Sequence, residues 1–588
     1  MDVLLVVVIG VIAVAVTTAL AQKLGVAGPL MLMGLGIAVS VLPFVPPVEV
    51  EPELILVGVL PPLLYSAAVN LPAIEFRRDF GPISGLAVVL VVGSSLLLGV
   101  FFFLAIPEVG FPLGVALGAI LSPTDAVATS IVRRLGITPR VVTMLEGESL
   151  LNDATALVLL RTAIAAIAGG FSLWGAVGSF AVGIVVAVVV GAVLGWITLR
   201  LRAWVHNSAA NTAIGFTVPF LAYLPTEHLG GSGLVAAVVA GLVTGQGAAR
   251  WFTPEQRLSD QLNWRTIELV LEGAVFLMMG LELKELVRQN VDDGYSVFDA
   301  SWLALAALAI ILLIRAVYVS ILIWIQTRRA RGRQRERLDA LSDRIDEFEA
   351  TAIPPLESAQ GGGPRRGARG GPGGPTAEQA RRRMSNLRGR VARSIADLDY
   401  YQAAPLGWKH GAVIVWAGMR GVVTLAAAQT LDRDIDGRAL LILIAFFVAA
   451  GSLLLQGLTL PWLVRRLQIP RTDADRASHD EQQRLAEELR DAATAVLSDP
   501  DLRRADGEPF SADMMTKMAQ RAAAPPSDDA SSLAVEMMEL RLATLEAMRG
   551  RLNEISSGGT YSTAALRHAL ADLDADQLAL ERRLHEDG

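Results

Sequence analysis

The sequence predicts an all-α polytopic membrane protein of about 13 transmembrane helices followed by a helical tail in water, and three observations predict it. Of 588 residues, 53% are hydrophobic and only 19% charged, with a mean hydropathy of +0.47, above the range of a soluble globular chain. Charge is sparse up to about Gln326 and dense over 327–405 and 471–588. Outside the dense regions, apolar windows of about twenty residues recur, the length needed to cross a hydrocarbon core.

The windows fall at 3–21, 26–43, 53–71, 82–106, 112–132, 141–167, 174–199, 211–229, 232–248, 266–287, 301–326, 408–430 and 438–463. The first lacks a basic leading region and is as long as a bilayer core requires, so it reads as a span and not as a cleaved leader. The third holds Ser66 in "LPPLLYSAAV". The fifth carries "AILSPTDAVATS", where Pro123 lacks a backbone donor and clashes with the preceding turn, so the helix breaks there. The sixth contains "TMLEGESLLNDATALVLL", which puts Glu146, Glu148 and Asp153 into an apolar run. Pro225, Glu227 and "LGGSG" interrupt the eighth to tenth. The eleventh buries Arg315 in "LLIRAVYV"; the twelfth carries "VWAGMRGVVTLA", where Gly418 and Gly421 flank Arg420 and weaken the helix.

Lys and Arg set the orientation. Lys23, Arg77, Arg78, Arg133, Arg134, Arg140, Arg200, Arg202, Arg250, Arg257 and Arg265 share alternate connections with the Arg-rich insert, whereas the opposite connections start out free of them. By the positive-inside rule the first set is cytoplasmic, which places the N-terminus outside and the C-terminus inside a plasma membrane. That arrangement needs an odd number of spans, as thirteen is.

Four regions follow: spans 1–11 over 1–326, a cytoplasmic Arg/Gly-rich insert over 327–405, spans 12–13 over 406–465, and a cytoplasmic helical regulatory tail over 466–588. The insert pairs a charge-laced helical pattern with the flexible "GGGPRRGARGGPGGP". It is net basic and suited to attract phospholipid or the net acidic tail. In the tail, Leu566, Leu570, Leu573, Leu580 and Leu584 follow a stripe of Leu533, Met537, Leu540, Met548, Leu552 and Ile555, the pattern of two helices folded as a hairpin around "SSGGT". The absence of Cys excludes disulfides, thiolate metal sites and Cys nucleophiles. Nothing suggests a nucleotide loop, a nucleic-acid partner or a bound cofactor. His206, His228 and His410 lie singly near span ends and read as interfacial.

Ionisable groups inside a membrane cost about 2.5–3.5 kcal/mol each on insertion scales, so they mark protein or water interiors. On the sixth span Ser149 and Asp153 are four apart, as are Glu148 and Asn152, which gathers them on one helix face. Carboxylate, hydroxyl and carbonyl oxygens are the hard ligands an alkali cation prefers, and a proton can compete with it at Asp153. The broken fifth and twelfth spans are seven apart and so run in opposite directions, as in an inverted repeat whose interrupted helices cross at mid-membrane. Asp125 and Arg420 lie where they can neutralise the half-helix ends. A rival reading makes Asp125 and Asp153 the acid pair of an intramembrane hydrolase.

With "LVGVLPPLLYSAAVNLP", "AILSPTDAVATS", "EGESLLNDATALVLL", "GSGLVAAVVAGLVTG", "VFLMMGLEL" and "AGMRGVVTLAAA" in order, the chain resembles the monovalent cation:proton antiporter-1 family, the bacterial NhaP-type Na+/H+ antiporters related to animal Na+/H+ exchangers. The resemblance covers nearly all of residues 1–465. It implies an NhaA/NhaP-like fold and a homodimer in which spans 4–6 and 11–13 form the ion-translocating core. It implies a secondary transporter, not an enzyme, which exchanges Na+ or Li+ for H+ one for one and serves pH and sodium homeostasis, with K+ as the alternative cation. Asp153 is then the essential carboxylate. Ser149 supplies a hydroxyl, Thr124 its main-chain carbonyl, and Ser66 a further oxygen where many relatives carry an acid. Asn152 holds the unwound fifth span, and Glu148 pairs with Arg420, Arg315 or both.

Overall fold

A computed structural model describes residues 2–24, 27–43, 45, 51–125, 127–167, 173–205, 207–330, 400–401, 406–432, 434–468, 474–497, 499, 501–504, 507–511, 514, 515, 518, 532–558 and 560–586. The chain divides into two units, residues 1–323 with 407–472 and residues 324–406 with 473–588. Residues 331–399 of the expected insert, its docking with the tail, and His206 lie outside the described residues.

The first unit is helical among the described residues. In order come α1 (Asp2–Leu24), α2 (Gly28–Ser40), α3 (Leu54–Asn70) and, after a short helix Ala73–Arg78, α4 (Phe80–Ala105). The fifth span is split into α5a (Phe111–Leu121) and α5b (Val127–Arg134). Then follow α6 (Pro139–Ile167), α7 (Leu173–Trp204), α8 (Ser208–His228), α9 (Gly233–Trp251), α10 (Pro254–Asp292) and α11 (Val297–Ala330). The twelfth span is split too, into α12a (Trp408–Trp416) and α12b (Val422–Gln429), before α13 (Arg438–Leu467).

Six of these, α4, α6, α7, α9, α11 and α13, are long and apolar enough to cross a membrane. The halves of the broken spans are too short to qualify alone, and α10 is too rich in charge. The eighth and ninth windows are cleaner than their sequence suggested. Helix α8 is capped by Asn207, whose Oδ1 accepts Ala210 N–H at 2.9 Å, and runs on through Pro219 and Pro225. The "LGGSG" stretch is the turn that follows it, with Gly230 at φ +76. Helix α10 begins with a capping box: Gln256 N donates to Thr253 Oγ1 and Thr253 N to Gln256 Oε1, which satisfies two orphan donors at a helix start.

The apolar helices differ in depth. The most apolar window of α13 is 78% buried and that of α7 only 17%, so α13 is an inner helix and α7 presents Val185, Val189 and Trp196 outward. Close crossings use glycine. A Cβ on Gly36 of α2 would lie 2.9 Å from Gly280 Cα of α10, and one on Gly241 of α9 would lie 2.6 Å from Tyr65 O of α3, so side chains there would push the helices apart. One group of packed helices is α1, α2, α3, α7, α8, α9 and α10; α4, α5a, α6, α12b and α13 pack around the two breaks.

The second unit contains α14 (Ala474–Leu497), α15 (Ser532–Gly558) and α16 (Thr563–Glu586). Helices α15 and α16 pack together and bury Leu540, Leu552, Ile555, Leu566, Leu573 and Leu580. Helix α14, which the leucine pattern did not announce, packs on both; Leu497 joins Met514, Met518 and Leu540 in a small core.

Candidate ion site at two helix breaks

Pro123 leaves α5a without its next donor, and the chain is non-helical from Ser122 to Asp125. Carbonyls at such an end need partners. Arg420, 2% exposed, supplies them: its Nε donates to Leu121 O at 3.0 Å and its Nη2 to Ser122 O at 3.5 Å, while Nη1 donates to Gly418 O beside the end of α12a. One guanidinium thus serves two partly negative helix ends. Asp125 does the converse. Its amide donates to Met419 O at 2.8 Å, and its Oδ1 accepts Val127 N–H at the start of α5b at 3.1 Å. Its carboxylate also occupies the space a side chain on Gly421, the residue capping α12b, would fill.

Helix α6 carries the other groups. Glu148 forms a two-pronged ion pair with Arg315 of α11, Nη2 to Oε2 at 2.8 Å and Nη1 to Oε1, with both side chains at most 2% exposed. Arg315 Nε also donates to Ile414 O of α12a at 3.0 Å. Thr124 Oγ1 donates to Glu148 Oε1 at 3.3 Å and accepts from Asn152 Nδ2 at 2.6 Å. The same amide lies 3.5 Å from Thr124 O. A continuous polar chain therefore runs Arg315, Glu148, Thr124, Asn152 and ties the first break to α6, α11 and α12a.

Asp153 follows Asn152 on α6. It is 4% exposed, and its Oδ1 has no hydrogen-bond partner. Ser149, one turn earlier, gives its proton to Glu146 O at 3.1 Å, which leaves its oxygen lone pairs for something else. Of the expected residues, Asn152, Glu148, Thr124, Asp125, Arg420 and Arg315 thus gather at the two breaks, with Arg315 as the partner of Glu148, and Ser149 and Asp153 lie on the same helix α6. Ser66 belongs to a different contact: fully buried on α3, it donates to Glu268 Oε1 of α10 at 2.5 Å.

Sequence reasoning missed Glu268 and Glu272. They are four apart in "TIELVLEGAVF", the same spacing that drew attention to Ser149 and Asp153, but the tenth span was read for its interruptions. It also counted Arg140 and Arg202 as loop charges. Both are buried, Arg140 against Asp79 at 2.9 Å and Arg202 against Asp260 and Asn211, where Phe252 stacks on the guanidinium at 4.5 Å.

The model of the family described as sodium/hydrogen exchanger, transmembrane, matches residues 9–337. The chain belongs to this family. Together with its apolar helices, that makes it an integral membrane protein. The exchanger-family match takes in the first break and all of α6 but ends before Arg420. The chain is 36% identical over 272 residues to an uncharacterised Na+/H+ exchanger, YjcE, of Escherichia coli K12, covering 45% of this chain and 50% of that one. It is 32% identical over 266 residues to a sodium, potassium, lithium and rubidium/H+ antiporter of Bacillus pumilus, covering 44% of this chain and 40% of that one. The matches thus span half or less of these relatives' lengths. The structure of the sodium proton antiporter MjNhaP1 from Methanocaldococcus jannaschii at pH 8 superposes with a TM-score of 0.53 at 16% identity, over 79% of this chain and 99% of that one, which shows a shared fold.

Proposed function

We propose that the protein is a secondary active antiporter that exchanges Na+ or Li+ for H+ by alternating access, with Asp153 as the carboxylate the two ions share. One observation carries the reading: Asp153 is almost fully buried in a membrane helix, and no protein group satisfies its Oδ1. An ionised carboxylate in such a place costs several kcal/mol unless a proton or a cation accompanies it. Two ligands that stabilise the same group and exclude each other are what antiport requires.

The neighbours divide the work. Ser149, its proton already given to Glu146 O, offers lone pairs to a cation; the Thr124 carbonyl and the Ser66 hydroxyl are the further oxygens. Asn152 fixes Thr124, while Glu148 with Arg315 and Asp125 with Arg420 hold the breaks open. Glu148 is neutralised by Arg315 and Asn152 carries no charge, which leaves Asp153 to exchange one charge for one, an electroneutral cycle. Asp125 is engaged by Val127 N–H and the start of α12b, a helix-end role that speaks against an acid pair with Asp153. The same reading puts a homodimer in a lipid plasma membrane, N-terminus outside and C-terminus in the cytoplasm, serving pH and sodium homeostasis without a cofactor. A second reading, K+/H+ exchange, is favoured by the Bacillus pumilus relative, whose description includes potassium and rubidium.

Proteoliposomes holding a pH dye test this. External Na+ or Li+ is expected to alkalinise the lumen with wild type and not with Asp153→Asn, at a rate unchanged when the membrane potential is clamped. Exchange that persists in Asp153→Asn removes the proposal; a response to K+ equal to that for Na+ selects the second reading.

A further inference from the structure

Helix α10 presents Asp260, Trp264, Glu268 and Glu272 at successive four-residue steps, hence along a slanting strip that rises about 6 Å and turns about 40° per step. Each step meets a different neighbour. Asp260 pairs with the fully buried Arg202, and Trp264 packs on Tyr65 of α3 with ring centroids 5.1 Å apart. Glu268 accepts the Ser66 proton, and Glu272 lies within electrostatic reach of Asp125 and Glu268. Asp125 is in turn within reach of Asp153. The strip therefore leads along α3 toward the first break, and α10 also packs on α12b, whose start Asp125 covers.

The Ser66 bond decides what that hydroxyl can do. A serine hydroxyl has one proton and two lone pairs. With the proton committed to Glu268 Oε1 at 2.5 Å, the remaining capacity of Ser66 is to accept, which is the state in which a hydroxyl ligates a cation. Glu268 is half-buried, and in its ionised form it adds a negative charge beside that oxygen. Because α3 carries no acid at this point, the charge comes from α10.

We propose that Glu268 is a positioning residue for cation uptake: it turns the Ser66 hydroxyl into an acceptor and, when ionised, places a negative charge beside it, which sets the apparent affinity for the transported cation. This rests on the antiport reading and deepens it. Four variants separate orientation from charge. Glu268→Gln keeps an acceptor of the same shape and loses the charge; Glu268→Leu loses both; Ser66→Ala removes the hydroxyl; Ser66→Ala with Glu268→Leu removes the pair.

In proteoliposomes, Glu268→Leu and Ser66→Ala are each expected to raise the KM for Na+ about tenfold, which is about 1.4 kcal/mol of binding. The maximal rate of Glu268→Leu should stay within about twofold of wild type. The double variant should match the worse single one, since both break one interaction. Glu268→Gln should fall between wild type and Glu268→Leu. Additive effects in the double variant, or an unchanged KM in Glu268→Leu, overturn the proposal. A loss of maximal rate without a KM change assigns Glu268 a structural role and overturns it too. Asp153→Asn is run beside them: exchange abolished there with KM unmoved at Glu268 sinks this inference alone, whereas exchange surviving in Asp153→Asn sinks the antiport site itself.

Discussion

In the fifth span the helix stops where Pro123 cannot donate, whereas the twelfth span has no proline at its interruption and parts between Gly418 and Gly421. Those glycines are needed for room. A Cβ on Gly418 would lie 2.8 Å from Arg315 Cδ, and one on Gly421 would collide with the Asp125 carboxylate. Neither has the positive φ that makes glycine obligatory on backbone grounds. The first break begins where the chain's own covalent chemistry removes a donor; at the second, two weak helix formers leave room that charged side chains from α11 and from the first break occupy. Each break then supplies the charge that settles the other's helix ends, Asp125 for α12b and Arg420 for α5a.

The largest expected effect comes from the pair that joins both breaks. Arg315→Met or Glu148→Leu alone leaves a buried charge without its partner and should cost about 3–5 kcal/mol, read from denaturant unfolding of the purified protein in detergent. The double variant should recover most of that loss; two single losses that simply add would show that the pair does not act as a unit.

Gly421→Ala comes next. Its methyl meets the Asp125 carboxylate, so about 1–3 kcal/mol of overpacking and a lost exchange rate are expected. Asp125→Ala in the same chain should restore the stability but not the rate. Stability that stays low in the double variant would show that Gly421 is required for some reason other than room.

Asn152→Ala removes the amide that holds Thr124 at 2.6 Å and should cost about 1–2 kcal/mol, with slower exchange. The smallest effect belongs to Pro123→Ala. Arg420 and Asn152 still hold the freed groups of the first break, so stability should change by less than about 1 kcal/mol and exchange should survive. A folded Pro123→Ala protein without exchange would mean that the proline, and not the tertiary contacts, keeps the break open.

Much of the fold was legible because membrane spans are a local property: twenty apolar residues must satisfy their own backbone in lipid, so helix is the outcome wherever the run occurs. Both breaks were legible for the same reason, since Pro123 and the Gly418/Gly421 pair act on their own turns. The tail stripes announced α15 and α16. They did not announce α14, whose sequence alternates charge densely and reads as solvated. Glu268 and Glu272 escaped because a carboxylate in a long, charge-rich helix does not stand out as Asp153 does in an apolar one. Arg140 and Arg202 stand near span ends, and nothing in the sequence shows that Asp79 and Asp260 are brought against them.

By itself the sequence determined that this chain is helical and membrane-bound, where two of its spans must fail, and which helix holds a carboxylate among apolar residues. Those follow from backbone hydrogen bonding and hydropathy over one or a few turns. Only the tertiary structure decided that Glu148 takes Arg315, 167 residues away, while Arg420 turns to backbone carbonyls, and that Ser66 meets Glu268 across 202 residues. Charges and hydroxyls bond to whatever folding brings within 3 Å or so, and separation along the chain carries no information about that distance.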